Sequence, residues 1–119
     1  MEQLTLEEYM ALSRKPTAQE EQLLEYLVLT STFPISMDWE NGLTVCSMND
    51  GGMGSLLLFP NGKFIENRLF GQQVSEFQFT DADGIEVITS LIIDKQGKLF
   101  ELDIWKTNFE KLIRIPDLK

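Results

Sequence analysis

Between Leu43 and Trp105 the chain alternates apolar and polar residues. The alternation is interrupted by the glycine loop and apolar run of 48–59 and by short stretches that contain glycine or asparagine: PNGK (60–63), FGQQ (70–73), DADG (81–84) and DKQG (94–97). A period of two sends successive side chains to opposite faces of a strand, and the β-branched and aromatic residues that predominate here suit a pleated surface. Parallel neighbours require a crossover of roughly a dozen residues or more. Links this short leave antiparallel pairing, with glycine or asparagine supplying the positive φ of tight turns. The expected strands are Leu43–Met48, Ser55–Phe59, Lys63–Leu69, Val74–Thr80, Ile85–Ile93 and Lys98–Trp105.

The N-terminal part reads differently. Thr5 and Glu8 have the spacing of a capping box, and Leu6, Tyr9 and Met10 follow on one helical stripe. Pro16 ends that helix, and Thr17 with Glu20 opens a second one that runs to about Thr30. Its Leu23, Leu24, Leu27 and Val28 form a stripe to be buried, with Glu20, Glu21 and Glu25 mostly off it. The expected fold class is α+β. Two N-terminal helices, a helical hairpin over 5–31, pack on an antiparallel β-meander of about five strands over 43–106, with a tail over 107–119. At 119 residues the chain is expected to form a single domain.

The faces of the last hairpin follow from its turn. With Lys95, Gln96 and Gly97 as a three-residue loop, Ile93 faces Leu99, Leu91 faces Glu101, Thr89 faces Asp103 and Val87 faces Trp105. Ile88 and Ile92 then join Phe100, Leu102 and Ile104 on the core side, and Glu86 lies across from Lys106 as an edge ion pair. Two helices cover one side of such a sheet, which leaves the side with Glu101, Asp103 and Trp105 for a partner or a second subunit. A slip of one residue inverts the assignment.

Charge and residue types narrow the function. Ten basic against 19 acidic residues give a net charge of -9, which repels nucleic acid and steers a basic protein partner toward the surface. The absence of histidine removes the commonest general base and metal ligand, so no catalytic residue set, metal site or cofactor is expected. Cys46, the lone cysteine, excludes an internal disulfide and suits a buried strand position. No apolar run approaches the ~18 residues of a membrane helix, and the acidic start MEQLTLEEYM is unlike a signal peptide. A cytoplasmic protein without a membrane partner is expected.

Three stretches are candidates for a site. In MNDGGMGSLLLF (48–59), consecutive glycine amides can cradle an anion, but they open into an apolar strand and not into a helix, so a turn is the simpler reading. Asp50 and Met53 would stand exposed at that bend. DADG lacks the later ligands of a calcium loop and reads as a turn. In ELDIWK (101–106), Glu101 and Asp103 point to one side of a strand about 7 Å apart, next to Trp105. That composition suits either an interface anchor with a charged rim or a tryptophan packed under Phe109, Leu112 and Ile115 of the tail.

MNDGGMGSL (48–56), the turn F.D.DG (79–84) and the closing pattern L..D..G.L.ELDIWK..F..L...P (91–116) resemble a small bacterial family of domains of unknown function. Families of this kind are often found beside polymorphic toxins, so the resemblance implies an immunity or accessory binding role and supplies no catalytic residues. The expected function is a non-catalytic cytoplasmic binding protein that neutralises a basic toxin, with Asp50, Met53, Glu101, Asp103 and Trp105 as partner-binding residues. The alternatives are a small enzyme that uses its carboxylates and a homodimeric scaffold paired through the Trp105 face.

Overall fold

The computed structural model describes residues 4–65 and 67–118. Two helices, α1 (Leu6–Leu12) and α2 (Ala18–Leu29), precede five strands: β1 (Thr44–Ser47), β2 (Leu56–Phe59), β3 (Phe70–Thr80), β4 (Glu86–Asp94) and β5 (Leu99–Lys106). The strands form one antiparallel sheet in the order β1-β2-β5-β4-β3, so the architecture is α+β.

Both helices begin where local chemistry sets them. The Thr5 and Thr17 hydroxyls accept the amides of Glu8 and Glu20, and those glutamates return the bond to the threonine amides, satisfying donors that a helix start leaves unpaired. Leu23, Leu24 and Leu27 of α2 are fully buried against Val45, Leu56, Leu58, Val87, Leu91, Leu102 and Ile104. The chain on either side of α2 touches opposite margins of the sheet. Arg14 exchanges backbone hydrogen bonds with Val45 of β1 (2.9 and 2.8 Å), while the Thr32 amide donates to the Val74 carbonyl of β3 (2.8 Å). A 12-residue helix is about 18 Å long, close to the roughly 19 Å width of five strands, so α2 spans the core face from margin to margin.

α1 sits elsewhere. Its Tyr9 ring lies 5.9 Å from Phe59, and Phe59 shares with Leu57 the sheet face that points away from α2, since Leu56 and Leu58 point toward it. The Arg14–Val45 bridge is where the chain passes around the edge of β1 from one face to the other. Met10, placed by the helical stripe beside Tyr9, is instead exposed.

Two features depart from a simple meander. Residues 63–69, expected as a strand, form a link: a 3-10 turn at Pro60–Gly62 leads into irregular chain in which Asn67 takes φ 61°, and Glu66 lies outside the described residues. The link carries the chain past the ends of β2, β5 and β4 to the far margin, so β3, β4 and β5 return and β5 pairs with β2. β3 also starts at Phe70, inside the expected FGQQ turn. Gly71 is needed there for space, not for positive φ. A Cβ at this position would sit 2.4 Å from the Asp94 carbonyl oxygen.

The second departure is a β-bulge. Ile93 pairs with Leu99 as expected, but Ile92 pairs with Glu101, leaving Phe100 as the extra residue. Every later partner is shifted by one: Leu91 with Leu102, Ser90 with Asp103, Thr89 with Ile104, Ile88 with Trp105 and Val87 with Lys106. From Glu101 on, the β5 faces are as expected, with Leu102 and Ile104 in the core; before it they are exchanged, since Leu99 is in the core and Phe100, expected there, lines the second-face cleft, and the faces of β4 are reversed. Val87, Thr89 and Leu91 are buried beneath α2, while Ile88 and Ile92 share the second face with Glu101, Asp103 and Trp105. Lys106 stays on the core side and, with Val87 instead of Glu86 opposite it, pairs with Asp81 and Asp83.

Candidate functional site

The second face has two ends. At the Trp105 end, helix cover is absent and aromatic surface is open. Trp105 is 43 % exposed, and its ring lies 6.0 Å from that of Phe109, itself 71 % exposed. The tail does not close over them. Leu112, Ile115 and Leu118 pack on the core side instead, the amides of Ile113 and Arg114 donate to Asp81, and the Leu118 amide donates to Gln22.

Glu101 and Asp103 stand beside Trp105 on the same strand face, half-buried. Burial first, and then a hydrogen bond to Asp103 with the charge of that neighbour, push the Glu101 carboxyl up to about 8, against a smaller opposing pull from Arg68. Two carboxyls this close cannot both ionise cheaply in a partly dry setting, so near neutral pH the pair retains a proton.

The glycine loop does not cradle an outside anion. Asp50 fills it from within: its two carboxylate oxygens accept the amides of Met53 (3.1 Å) and Ser55 (2.9 Å). Gly51, Gly52 and Gly54 have φ of 75°, 83° and 102°, the left-handed region that side chains resist. Ser55 then exchanges hydrogen bonds with the backbone of Ile104, and the Gly52 carbonyl accepts the Leu112 amide. Asp50 and Met53 are therefore half-buried parts of a loop fastened to β5 and the tail, whereas Glu101, Asp103 and Trp105 are brought together on open surface.

The three stretches that carry the family resemblance meet at this end of the sheet. The 48–56 loop touches Ile104 and Leu112, and the 81–84 turn holds Lys106 from the ELDIWK stretch. Asp81 is held down to about 2; burial opposes this, and it is outweighed by the amides of Ile113, Ala82 and Arg114 and by the Lys106 ammonium. The turn is a structural clamp. Among the described residues no group of three or more histidine, cysteine, aspartate or glutamate side chains could hold a metal ion. Cys46 is buried, and burial pushes its thiol up.

The other end of the face was not legible in the sequence. There Tyr9, Phe59, Phe64, Phe100 and Arg68 line a cleft of about 530 Å³. Arg68 lies in a segment that reads as a strand, where a lone cation between Asn67 and Leu69 carries no periodic signal. Its location depends on the link and on the bulge that frees Phe100.

A family model for a domain of unknown function matches residues 13–116. No curated protein and no solved structure matches the chain. Among the described residues, no helix is long and apolar enough to cross a membrane.

Proposed function

We propose a binding function for this chain, which belongs to the DUF6984 family of domains of unknown function. It is a non-catalytic cytoplasmic protein that holds a basic protein partner on its second sheet face, and its sharpest form is an immunity protein that neutralises a basic toxin. The observation that carries this reading is the half-exposed Trp105 with Phe109 against it, on a strand face whose polar residues are Glu101 and Asp103. Binding energy concentrates on large aromatic side chains ringed by polar groups. A net charge of -9 accelerates encounter with a positively charged surface. The experiment is calorimetric titration with the basic nuclease-type domains encoded beside the gene. Tight binding that Trp105→Asp abolishes supports the reading. The immunity form is wrong if none binds and deletion of the gene never sensitises the cell.

One observation favours a second reading, a small carboxylate-dependent enzyme. A carboxyl held protonated up to about 8 beside a second one is what a general acid requires. Asp50, engaged by its own loop, would have no part in it. Under that reading Glu101→Gln and Asp103→Asn abolish turnover while Trp105→Asp leaves it intact, the reverse of the pattern that the binding reading predicts for complex formation.

A further inference from the structure

The cleft at the far end of the second face has a composition that the partner surface lacks. Phe100 is five residues from Trp105 along β5, roughly 16 Å at the rise of a strand. The cleft's walls are rings: Tyr9 and Phe59 lie 5.9 Å apart and Phe59 and Phe64 lie 4.6 Å apart. A single cation crosses them. The Arg68 guanidinium carbon is 5.1 Å from the Phe59 ring centroid and 4.7 Å from that of Phe100. One nitrogen, Nη1, fixes it by donating to the carbonyls of Leu58 (2.8 Å) and Leu99 (3.2 Å), where β2 and β5 end at the link.

Among the described residues the rest of the guanidinium is uncommitted. Among the described residues Nε and Nη2 have no hydrogen-bond acceptor, and no carboxylate lies within 4.0 Å. Arg68 is half-buried, and neither nitrogen is among the buried atoms left without a partner. The nearby acids act on Arg68 through charge without contact: Asp94 spends Oδ1 on the amides of Gln96 (2.9 Å) and Lys98 (3.0 Å), and the Glu101 carboxyl is pushed up to about 8, chiefly by burial. A half-buried arginine with its Nε–Nη2 edge open matches the two oxygens of a carboxylate. A cavity of about 530 Å³ with apolar walls and one orienting charge falls in the range of small-molecule sites.

We propose that this cleft binds a small aromatic carboxylate, with the ring among Tyr9, Phe59, Phe64 and Phe100 and the carboxylate across the free edge of Arg68. A single cation balances one negative charge, and aromatic walls favour a planar ring through edge-to-face and offset contacts. This goes beyond the partner-binding reading and does not depend on it, since the site needs no protein partner.

The test titrates the full chain near pH 7 with 2-naphthoate and, separately, with 2-naphthalenemethanol, which has the same ring system and no charge. Binding is followed by NMR, including the side-chain Nε–H resonance of arginine. The expected result is saturable binding of 2-naphthoate with a dissociation constant below about 1 mM, shifts at Arg68 and Phe100 and none at Trp105, and binding of the alcohol weaker by about tenfold or more. Arg68→Met should weaken 2-naphthoate by about tenfold to a hundredfold, and Arg68→Lys by less, because it retains the charge and loses the fork. The proposal is overturned if 2-naphthoate does not saturate, if the alcohol binds equally well, or if the shifts centre on Trp105. Should Arg68→Met fail to fold, the comparison of the two ligands on the unaltered protein decides alone.

Discussion

The Nζ of Lys106 lies 2.8 Å from Oδ2 of Asp81, and both side chains are shut off from solvent. An ammonium has three hydrogens to place, and here each has an acceptor: Asp81, Asp83 at 2.7 Å and the Lys111 carbonyl at 3.1 Å. Asp81 in turn accepts the amides of Ala82, Ile113 and Arg114. One charged pair therefore ties the β3–β4 turn to β5 and to the tail, and removing either member strands the other in a dry place.

Asp81→Asn is expected to cost about 3 kcal/mol of stability, the usual scale for breaking a buried pair from one side. Urea unfolding should show a lower midpoint at an unchanged slope. A loss under about 1 kcal/mol would mean that the pair is solvated.

Acid should find the same weak point late. Asp81 is held at about 2, below its ordinary 3.8, so the unfolded chain takes up this proton more readily than the folded one. The contribution of Asp81 is complete above about pH 4 and disappears as the pH falls toward 2. Thermal melts of wild type and Asp81→Asn should therefore converge across that interval. Parallel curves would contradict the assignment.

Glu101 gives the opposite dependence. With its carboxyl raised from 4.5 to about 8, the folded protein holds a proton that the unfolded chain releases, so stability falls as the pH rises from 4.5 to 8. Glu101→Gln should remove this slope and melt higher than wild type above pH 8. Equal slopes in the two proteins would show that the pair is not desolvated.

Two glycines separate crowding from backbone strain. At Gly84, φ is 83° and a Cβ would meet nothing within 4 Å, whereas at Gly71 it would strike the Asp94 carbonyl oxygen at 2.4 Å. Gly84→Ala should cost about 1–2 kcal/mol, from its left-handed conformation alone. Gly71→Ala should cost about 3 kcal/mol and weaken amide protection along β3 and β4. The reverse order would refute the β3–β4 register.

Trp105→Asp is expected to change stability by less than about 1 kcal/mol, because the ring is partly solvated already. Light scattering should give the same mass before and after the substitution. A mass that halves would instead assign this face to a second copy of the chain.

How far the sequence could be read depended on the range of the interaction. The capping boxes at Thr5 and Thr17 and the buried stripe Leu23, Leu24 and Leu27 are set by neighbours within a few residues, and they stand as expected. From Glu101 on, the alternation within β5 was equally legible, which put Glu101, Asp103 and Trp105 together on one face. The bulge at Phe100 was not, because a single extra residue leaves the composition of both strands unchanged while exchanging the faces of β4. That slip also moved Glu86 away from Lys106, which pairs instead with Asp81 and Asp83. Residues 63–69 misled for a related reason. Phe64, Ile65 and Leu69 are apolar enough for a strand, yet the left-handed Asn67 and the need to reach the far margin make the segment a link. The Arg68 cleft follows from that link and from the bulge, so it could not be anticipated without them.

A helix as long as the sheet is wide fastens both outer strands with backbone hydrogen bonds on either side of itself, at Arg14 and at Thr32. Sheet proteins aggregate by recruiting a neighbour's strand onto an open rim, and this strap engages each rim near its middle. Removing one turn of α2 would release a rim for such recruitment, so the length of the helix also keeps each molecule separate from the next.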